Sequence, residues 1–79
     1  MSIKLYDVGQ VVQEVQNALR RSGISFVDRE GAFGPYTDKA VRTFQGQHGL
    51  AVTGVVDQAT WQALGLPGPV PDGRAQAVD

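Results

Sequence analysis

The chain has 79 residues, of which 42% are hydrophobic, and its seven basic and eight acidic residues give a formal net charge of −1. A chain of this length forms at most one small domain, which buries only about 60% of the surface that its unfolded form exposes. The near-zero charge and the absence of cysteine argue against a nucleic-acid or anionic-membrane partner, a disulfide framework and thiol chemistry.

The segment YDVGQVVQEVQNALRRSG predicts the first helix. Its valines, together with Ala18 and Leu19, recur at spacings of three and four, which places them on one helical face. Asp7 is the expected N-cap, and Gln10 three residues later can complete a capping box. Gly23 suits the position just past the end of the helix, where the left-handed conformation is common.

A loop separates this helix from a second one, which we expect from Tyr36 to His48. Pro35 stands at the first helical position, where its missing N–H costs nothing, and Gly49 ends the helix. The residue after such a terminal glycine often folds back onto the last turn. The apolar stripe of the second helix contains Thr37, Ala40, Val41 and Phe44.

Asp57 is the expected N-cap of a third, shorter helix that ends at Gly65. The preceding AVTGVV is β-branched around a glycine and predicts a turn or an abbreviated strand. From Pro67 onward the chain is rich in proline and glycine and then small and polar. We therefore expect an all-α, compact three-helix bundle with short, turn-like connections at residues 1–66, followed by a linker or flexible tail at residues 67–79.

Two eleven-residue stretches, GAFGPYTDKAV from Gly31 and GVVDQATWQAL from Gly54, share one pattern. Each predicts a turn that needs glycine, an apolar anchor for the core, a cap position, and a helix with Thr in its first turn. The hydroxyls of Thr37 and Thr60 are expected to bond back to the backbone of the cap. Taken alone, these residues favour duplicated helix starts that support the fold over a duplicated binding site.

The whole ordered pattern resembles the peptidoglycan-binding domain of bacterial and phage cell-wall hydrolases, over about residues 7–65. The resemblance implies a small three-helix domain that tethers an amidase, peptidase, muramidase or transglycosylase to peptidoglycan. Glu30 is a departure, because the family usually has Asp before the glycine of its first turn. The matching residues are Gly9, Val12, Val15, Gln16, Leu19 and Gly23, then GAFGPYTDKAVRTFQ and GLAVTGVVDQATWQAL.

The chain has few of the parts that a catalytic or metal site needs. Its single histidine, His48, ends the second helix and is expected to be structural. Asp28 and Glu30 are close in sequence, as a glycosidase pair would require in space, but they fall in a loop with no evident cleft. We therefore expect a binding module that is not an enzyme and uses no metal or cofactor.

Peptidoglycan offers hydroxyls, acetamido groups, carboxylates and methyl groups, so its recognition calls for amide or hydroxyl side chains, an aromatic face and a cation. Tyr36 is the strongest candidate contact, because it falls off the apolar stripe in the first turn of the second helix. Trp61 also fits a place in the core. Glycan and stem peptide both remain open as the ligand. The predicted ligand-binding residues are Arg29, Glu30, Tyr36, Arg42, Gln45 and Trp61.

We expect a monomer that acts at the bacterial cell wall or periplasm, with peptidoglycan and a wall-hydrolase catalytic domain as partners. The alternative is a protein-interaction or regulatory module, similar to pro-segments that pack against a partner hydrolase. The absence of a cysteine for a catalytic zinc counts against that alternative. The N-terminus MSIKLYDVGQ lacks the features of a secretory signal peptide. We therefore expect a chain delivered by a phage or a secretion machine, or one excised from a larger protein.

Overall fold

The computed structural model describes residues 2–73 of the chain. These residues form three helices and no named β-strand: α1 (Gln10–Arg21), α2 (Pro35–Gln47) and α3 (Gln58–Ala63). The predicted all-α, three-helix fold is confirmed. The segment AVTGVV forms a turn, and Val56 at its end makes an isolated antiparallel bridge with Ile3.

The apolar faces of the three helices enclose a single core. The apolar anchors of the two repeated stretches, Phe33 and Val56, are both fully buried within it, as predicted. The ring of Phe44, on α2, is 1% exposed and stacks on His48 at a centroid distance of 4.0 Å. The other core side chains are those of Ile3, Val11, Val12, Val15, Ala18, Leu19, Ala40, Val41, Trp61, Leu64 and Val70.

All three helices end in the same way. Gly23, Gly49 and Gly65 follow the three helices with φ angles of 89°, 69° and 82°. The residue after each glycine donates its backbone N–H to the carbonyl five residues earlier, at 3.1, 2.9 and 3.3 Å. This is the Schellman arrangement, which satisfies carbonyls that lack a partner within the helix. The predicted glycine stops are confirmed.

The helix starts agree less well with the sequence pattern. Gly9 is the N-cap of α1 and has no side chain to offer, so the predicted capping box at Asp7 is wrong. The Asp7 carboxylate instead accepts a hydrogen bond from the backbone N–H of Lys4 at 2.9 Å and helps to close a turn before the helix. Asp57 does cap α3, because its carboxylate accepts from the backbone N–H of Thr60 at 3.0 Å.

The sequence pattern places the end of the domain at residue 66, but residues 67–73 pack against the helices. Val70 is 5% exposed and belongs to the core. Its backbone N–H donates to the side-chain oxygen of Gln58 at 2.8 Å, and the indole N–H of Trp61 donates to the carbonyl of residue 67 at 3.1 Å. A single valine among prolines and glycines has no periodicity, which is why the pattern suggests a tail. Residues 74–79 of the predicted tail lie outside the described residues.

Candidate functional site

Gln16, on the buried face of α1, holds in place the turn of the first repeat, residues 29–32, called the first turn below. Its side-chain oxygen accepts a hydrogen bond from the backbone N–H of Gly31 at 2.7 Å. Its amide nitrogen donates to the carbonyls of Arg29 and Ala32 at 3.1 and 3.0 Å and to the hydroxyl of Thr37 at 3.1 Å. One buried amide therefore connects α1, the first turn and the start of α2.

Gln45, on α2, does the same for the turn of the second repeat, residues 53–55, called the second turn below. Its side-chain oxygen accepts from the backbone N–H groups of Thr53 and Gly54 at 2.9 and 3.0 Å. Its amide nitrogen donates to the carbonyl of Val55 at 2.9 Å and to the hydroxyl of Thr60 at 3.0 Å. The two glutamines are both fully buried and occupy equivalent places in the two repeats.

The repeated unit is therefore longer than its turn and includes the preceding helix. VVQEVQ in α1 corresponds to AVRTFQ in α2, and each segment ends in the glutamine that binds the next turn. The predicted bond from the hydroxyls of Thr37 and Thr60 to the cap backbone is wrong, since both hydroxyls accept from the glutamine amides. An amide recurring on an apolar helical face is the signal in the sequence that would have predicted this arrangement.

The two copies differ in how the next helix is capped. Asp57 caps α3 with its own side chain, whereas the N-cap of α2 is Gly34, which has none. Asp28, from the preceding loop, supplies the missing carboxylate and accepts from the backbone N–H of Thr37 at 2.5 Å. A Cβ on Gly34 would lie 2.6 Å from an oxygen of that carboxylate. Glycine at position 34 therefore makes room for a cap supplied by another part of the chain.

Two of the six predicted binding residues lie in the interior. Gln45 is fully buried, and its side-chain oxygen and nitrogen bond to the second turn. Trp61 is 3% exposed, and its indole N–H bonds to a backbone carbonyl. Neither side chain presents a polar atom to a ligand on the surface, so burial argues against both residues as contacts. The amide of Gln45 is used to hold a turn, and the ring of Trp61 is used to fill the core.

Three of the predicted residues are exposed around the first turn. Tyr36, the second residue of α2, is 56% exposed. Arg29 and Glu30 lie on the turn itself, with exposed side chains. A carboxylate oxygen of Glu30 lies 3.0 Å from a guanidinium nitrogen of Arg20. The guanidinium carbon of Arg20 also lies 4.6 Å from the centroid of the Phe26 ring, in the same loop. All three predicted residues therefore lie on or shortly after the first turn, with their side chains exposed.

Arg42 lies apart from them, beside the second turn. Its Nε is 2.9 Å from a carboxylate oxygen of Asp38, one helical turn earlier. A side chain on Gly54 would collide with both members of this ion pair, and Gly54 has a φ of 78°. The pair therefore covers the backbone of the second turn.

A shallow groove of about 380 Å³ follows the solvent-facing side of α1. It is lined by Gln10, Gln13, Glu14 and Asn17, none of which is among the six predicted residues. The side-chain oxygen of Asn17 accepts a hydrogen bond from Arg20 at 3.4 Å. Since Arg20 also pairs with the first turn, one end of the groove lies next to that turn.

Most of the exposed large apolar side chains belong to segments that contain, follow or bond to the same turn. Four of the five in the described part of the chain come from segments bonded to it, and the fifth, Val52, lies beyond α2. The first four are those of Tyr6, Val8, Val27 and Tyr36. Exposed apolar side chains grouped in one region mark a candidate binding surface.

The described residues 2–73 contain no group of three or more His, Asp or Glu side chains that could hold a metal ion. In the same range, no helix has the length and apolar character needed to cross a membrane.

Three solved structures share this fold. A peptidoglycan-binding protein from Clostridioides difficile, in complex with glutamine hydroxamate, is 34% identical over 82% of this chain with a TM-score of 0.77. The endolysin of Burkholderia phage AP3 is 32% identical over 87% of the chain, with a TM-score of 0.76. A fused Zn-dependent amidase/peptidase/peptidoglycan-binding domain-containing protein from Clostridium acetobutylicum ATCC 824 is 32% identical over 94% of it, with a TM-score of 0.73.

The chain spans 40%, 27% and 32% of the lengths of these three proteins. No curated protein matches it. Residues 8–64 match the family model described as "Putative peptidoglycan binding domain". Because that match covers most of the chain and includes both copies of the repeat, this chain belongs to the peptidoglycan-binding domain family.

Proposed function

We propose that this chain binds bacterial peptidoglycan without cleaving it and that it tethers an attached or associated wall hydrolase. The family match over residues 8–64 carries this proposal. Two of the similar structures are an endolysin and a fused amidase/peptidase, and the chain spans 27% and 32% of their lengths, which supports a module of a larger hydrolase. Delivery by a phage, delivery by a secretion machine and membership of a larger protein are all compatible with action at the wall.

The binding surface that we propose is formed by the first turn and the solvent-facing side of α1. Tyr36 offers an aromatic face for a sugar ring or a methyl group, and Arg29 offers a guanidinium for a carboxylate. Glu30 pairs with Arg20, but an exposed pair of this kind contributes only about 0–1 kcal/mol. Opening that pair for a ligand therefore costs little.

The proposal is tested by co-sedimentation of the purified chain with peptidoglycan sacculi, repeated after digestion by a muramidase and by an amidase. We expect the protein to sediment with the sacculi while the turbidity of the suspension stays constant. Because the net charge is close to zero, binding should depend only modestly on salt. Release of muropeptides by the pure protein would contradict a non-catalytic role.

Tyr36→Ala should weaken sedimentation about fivefold, since it removes one packing contact worth on the order of 1 kcal/mol. Val52→Ala is the matched control, because Val52 is similarly exposed but lies away from the first turn. Capture of the chain by a hydrolase catalytic domain, with no affinity for sacculi, would favour the protein-interaction alternative.

A further inference from the structure

Tyr6 has a backbone conformation that does not suit its side chain. Its φ is 76°, and it is the one non-glycine residue with a positive φ among residues 2–73. It is the third residue of a turn in which the backbone N–H of Asp7 donates to the carbonyl of Lys4 at 3.0 Å. A positive φ at this position of a turn is normally supplied by glycine or asparagine.

Nothing in the core compensates for this conformation, because the side chain of Tyr6 is 78% exposed. Glycine at the same position would relieve the backbone and expose less apolar surface. A residue held in an unfavourable backbone region, with its side chain in solvent, points to a role outside folding.

The backbone of Tyr6 lies against the first turn. Its N–H donates to the carbonyl of Phe33 at 2.8 Å, and two residues later Val8 pairs with Ala32 in an antiparallel bridge. Tyr36, the other exposed tyrosine of the described chain, is the second residue of α2 and follows Phe33 by three residues. Two exposed tyrosines therefore flank a single turn.

The groove on α1 begins at Gln10, two residues after Val8, so Tyr6 lies close to it in the sequence. Its lining contains three amide side chains, Gln10, Gln13 and Asn17, together with Glu14. Solvent-facing helical surfaces are commonly stabilised by pairs of Glu and Lys, and this lining has no lysine or arginine. Amides offer both donors and acceptors, which suits hydroxyl and acetamido groups.

We propose that Tyr6 and the amide groove of α1 form a subsite for the glycan strand of peptidoglycan. This inference rests on the proposed function and deepens it by selecting the glycan over the stem peptide. The ring of Tyr6 packs on the face of a pyranose ring, and the amides bond to the hydroxyl and acetamido groups of the adjoining sugars. A stem peptide carries carboxylates, and the four residues that line the groove include one carboxylate and no cation. Arg20, which donates to Asn17 at one end of the groove, is already paired with Glu30.

The test compares the affinity of the chain for glycan strands stripped of peptide by an amidase with its affinity for isolated stem peptides, by NMR titration. Tyr6→Gly should raise the melting temperature and yet weaken glycan binding about fivefold. Tyr6→Phe retains the ring and should bind as the parent chain does. The double variant Gln10→Ala, Gln13→Ala should also weaken binding while the helix stays intact, because alanine favours helix.

Val52→Ala is the control and should leave glycan binding unchanged. If the parent chain sediments with sacculi but Tyr6→Gly and the double variant bind glycan as tightly as it does, the subsite is wrong and the proposed function stands. Binding to stem peptides with none to glycan strands would also overturn the subsite. If the parent chain fails to sediment with sacculi, the proposed function itself fails.

Discussion

Gln45→Met tests whether the second glutamine is a structural residue. The substitution keeps the volume of the side chain but removes its polar atoms, so the buried backbone N–H of Gly54 and that of Thr53 lose their acceptor. The hydroxyl of Thr60 loses its donor. A buried group left without a partner costs about 1–3 kcal/mol, so we expect a loss of roughly 2–4 kcal/mol.

That loss is large for a domain of this size, because the usual stability per residue gives it a total stability of roughly 4–12 kcal/mol. A loss of about 3 kcal/mol lowers the melting temperature by roughly 12–24 °C. Urea denaturation followed by the fluorescence of Trp61, the single tryptophan, measures it directly.

Gln47→Met is the matched control for that measurement, because it makes the same substitution two residues later on the exposed side of α2. It should change the free energy of unfolding by no more than about 0.5 kcal/mol. Gln16→Met should cost about as much as Gln45→Met if the two copies are equivalent. An unchanged stability of Gln45→Met combined with lost wall binding would refute this reasoning and restore Gln45 as a ligand contact.

Three further substitutions test the rest of the fold. Asp28→Ala should cost about 0.5–2 kcal/mol, because α2 then loses the carboxylate that caps Thr37, and urea denaturation would show it; an effect near zero would mean that the cap is not supplied from the loop. Phe44→Ala should cost about 3–5 kcal/mol by the same assay, since its ring is fully buried. Val70→Ala should cost about 1–2 kcal/mol through two lost methyl groups, and a neutral result would place residues 67–73 outside the domain as the composition suggests.

Local chemistry made most of the fold predictable. The three terminal glycines, the Asp57 cap and the apolar faces each depend on residues within about one helical turn, and the structure confirms them. The functions of Gln16 and Gln45 were harder to predict, because their partners lie between 8 and 21 residues away. Helical periodicity reports which face is apolar and says nothing about which polar group on that face finds partners in a distant turn.

The candidate site was predictable only in part, for the same physical reason. The exposure of Tyr36 is predictable because its position off the apolar stripe follows from the helical repeat alone. The pattern does not indicate Tyr6, the contact that we propose, because its exposure and positive φ arise from a turn whose closure involves Asp7, which the pattern assigns to a helix cap. Once Asp7 serves that turn, α1 begins at Gln10 and the preceding residues are free to lie against the first turn.

The duplicated unit also suggests why one copy would bind while the other supports the fold. In the second copy the turn is covered on several sides: the pair of Arg42 and Asp38 lies over its glycine, Ile3 exchanges two backbone hydrogen bonds with Val56, and residues 67–73 bond to α3. The first copy has the same internal glutamine connection, and its turn also bonds to residues 6–9, where the backbone N–H groups of Tyr6 and Gly9 donate to the carbonyls of Phe33 and Gly31. Its outer side, however, carries exposed tyrosines and borders the amide groove. A rigid turn that carries exposed side chains positions them for a ligand at little cost in ordering, and this supports the binding surface that we propose at the first copy.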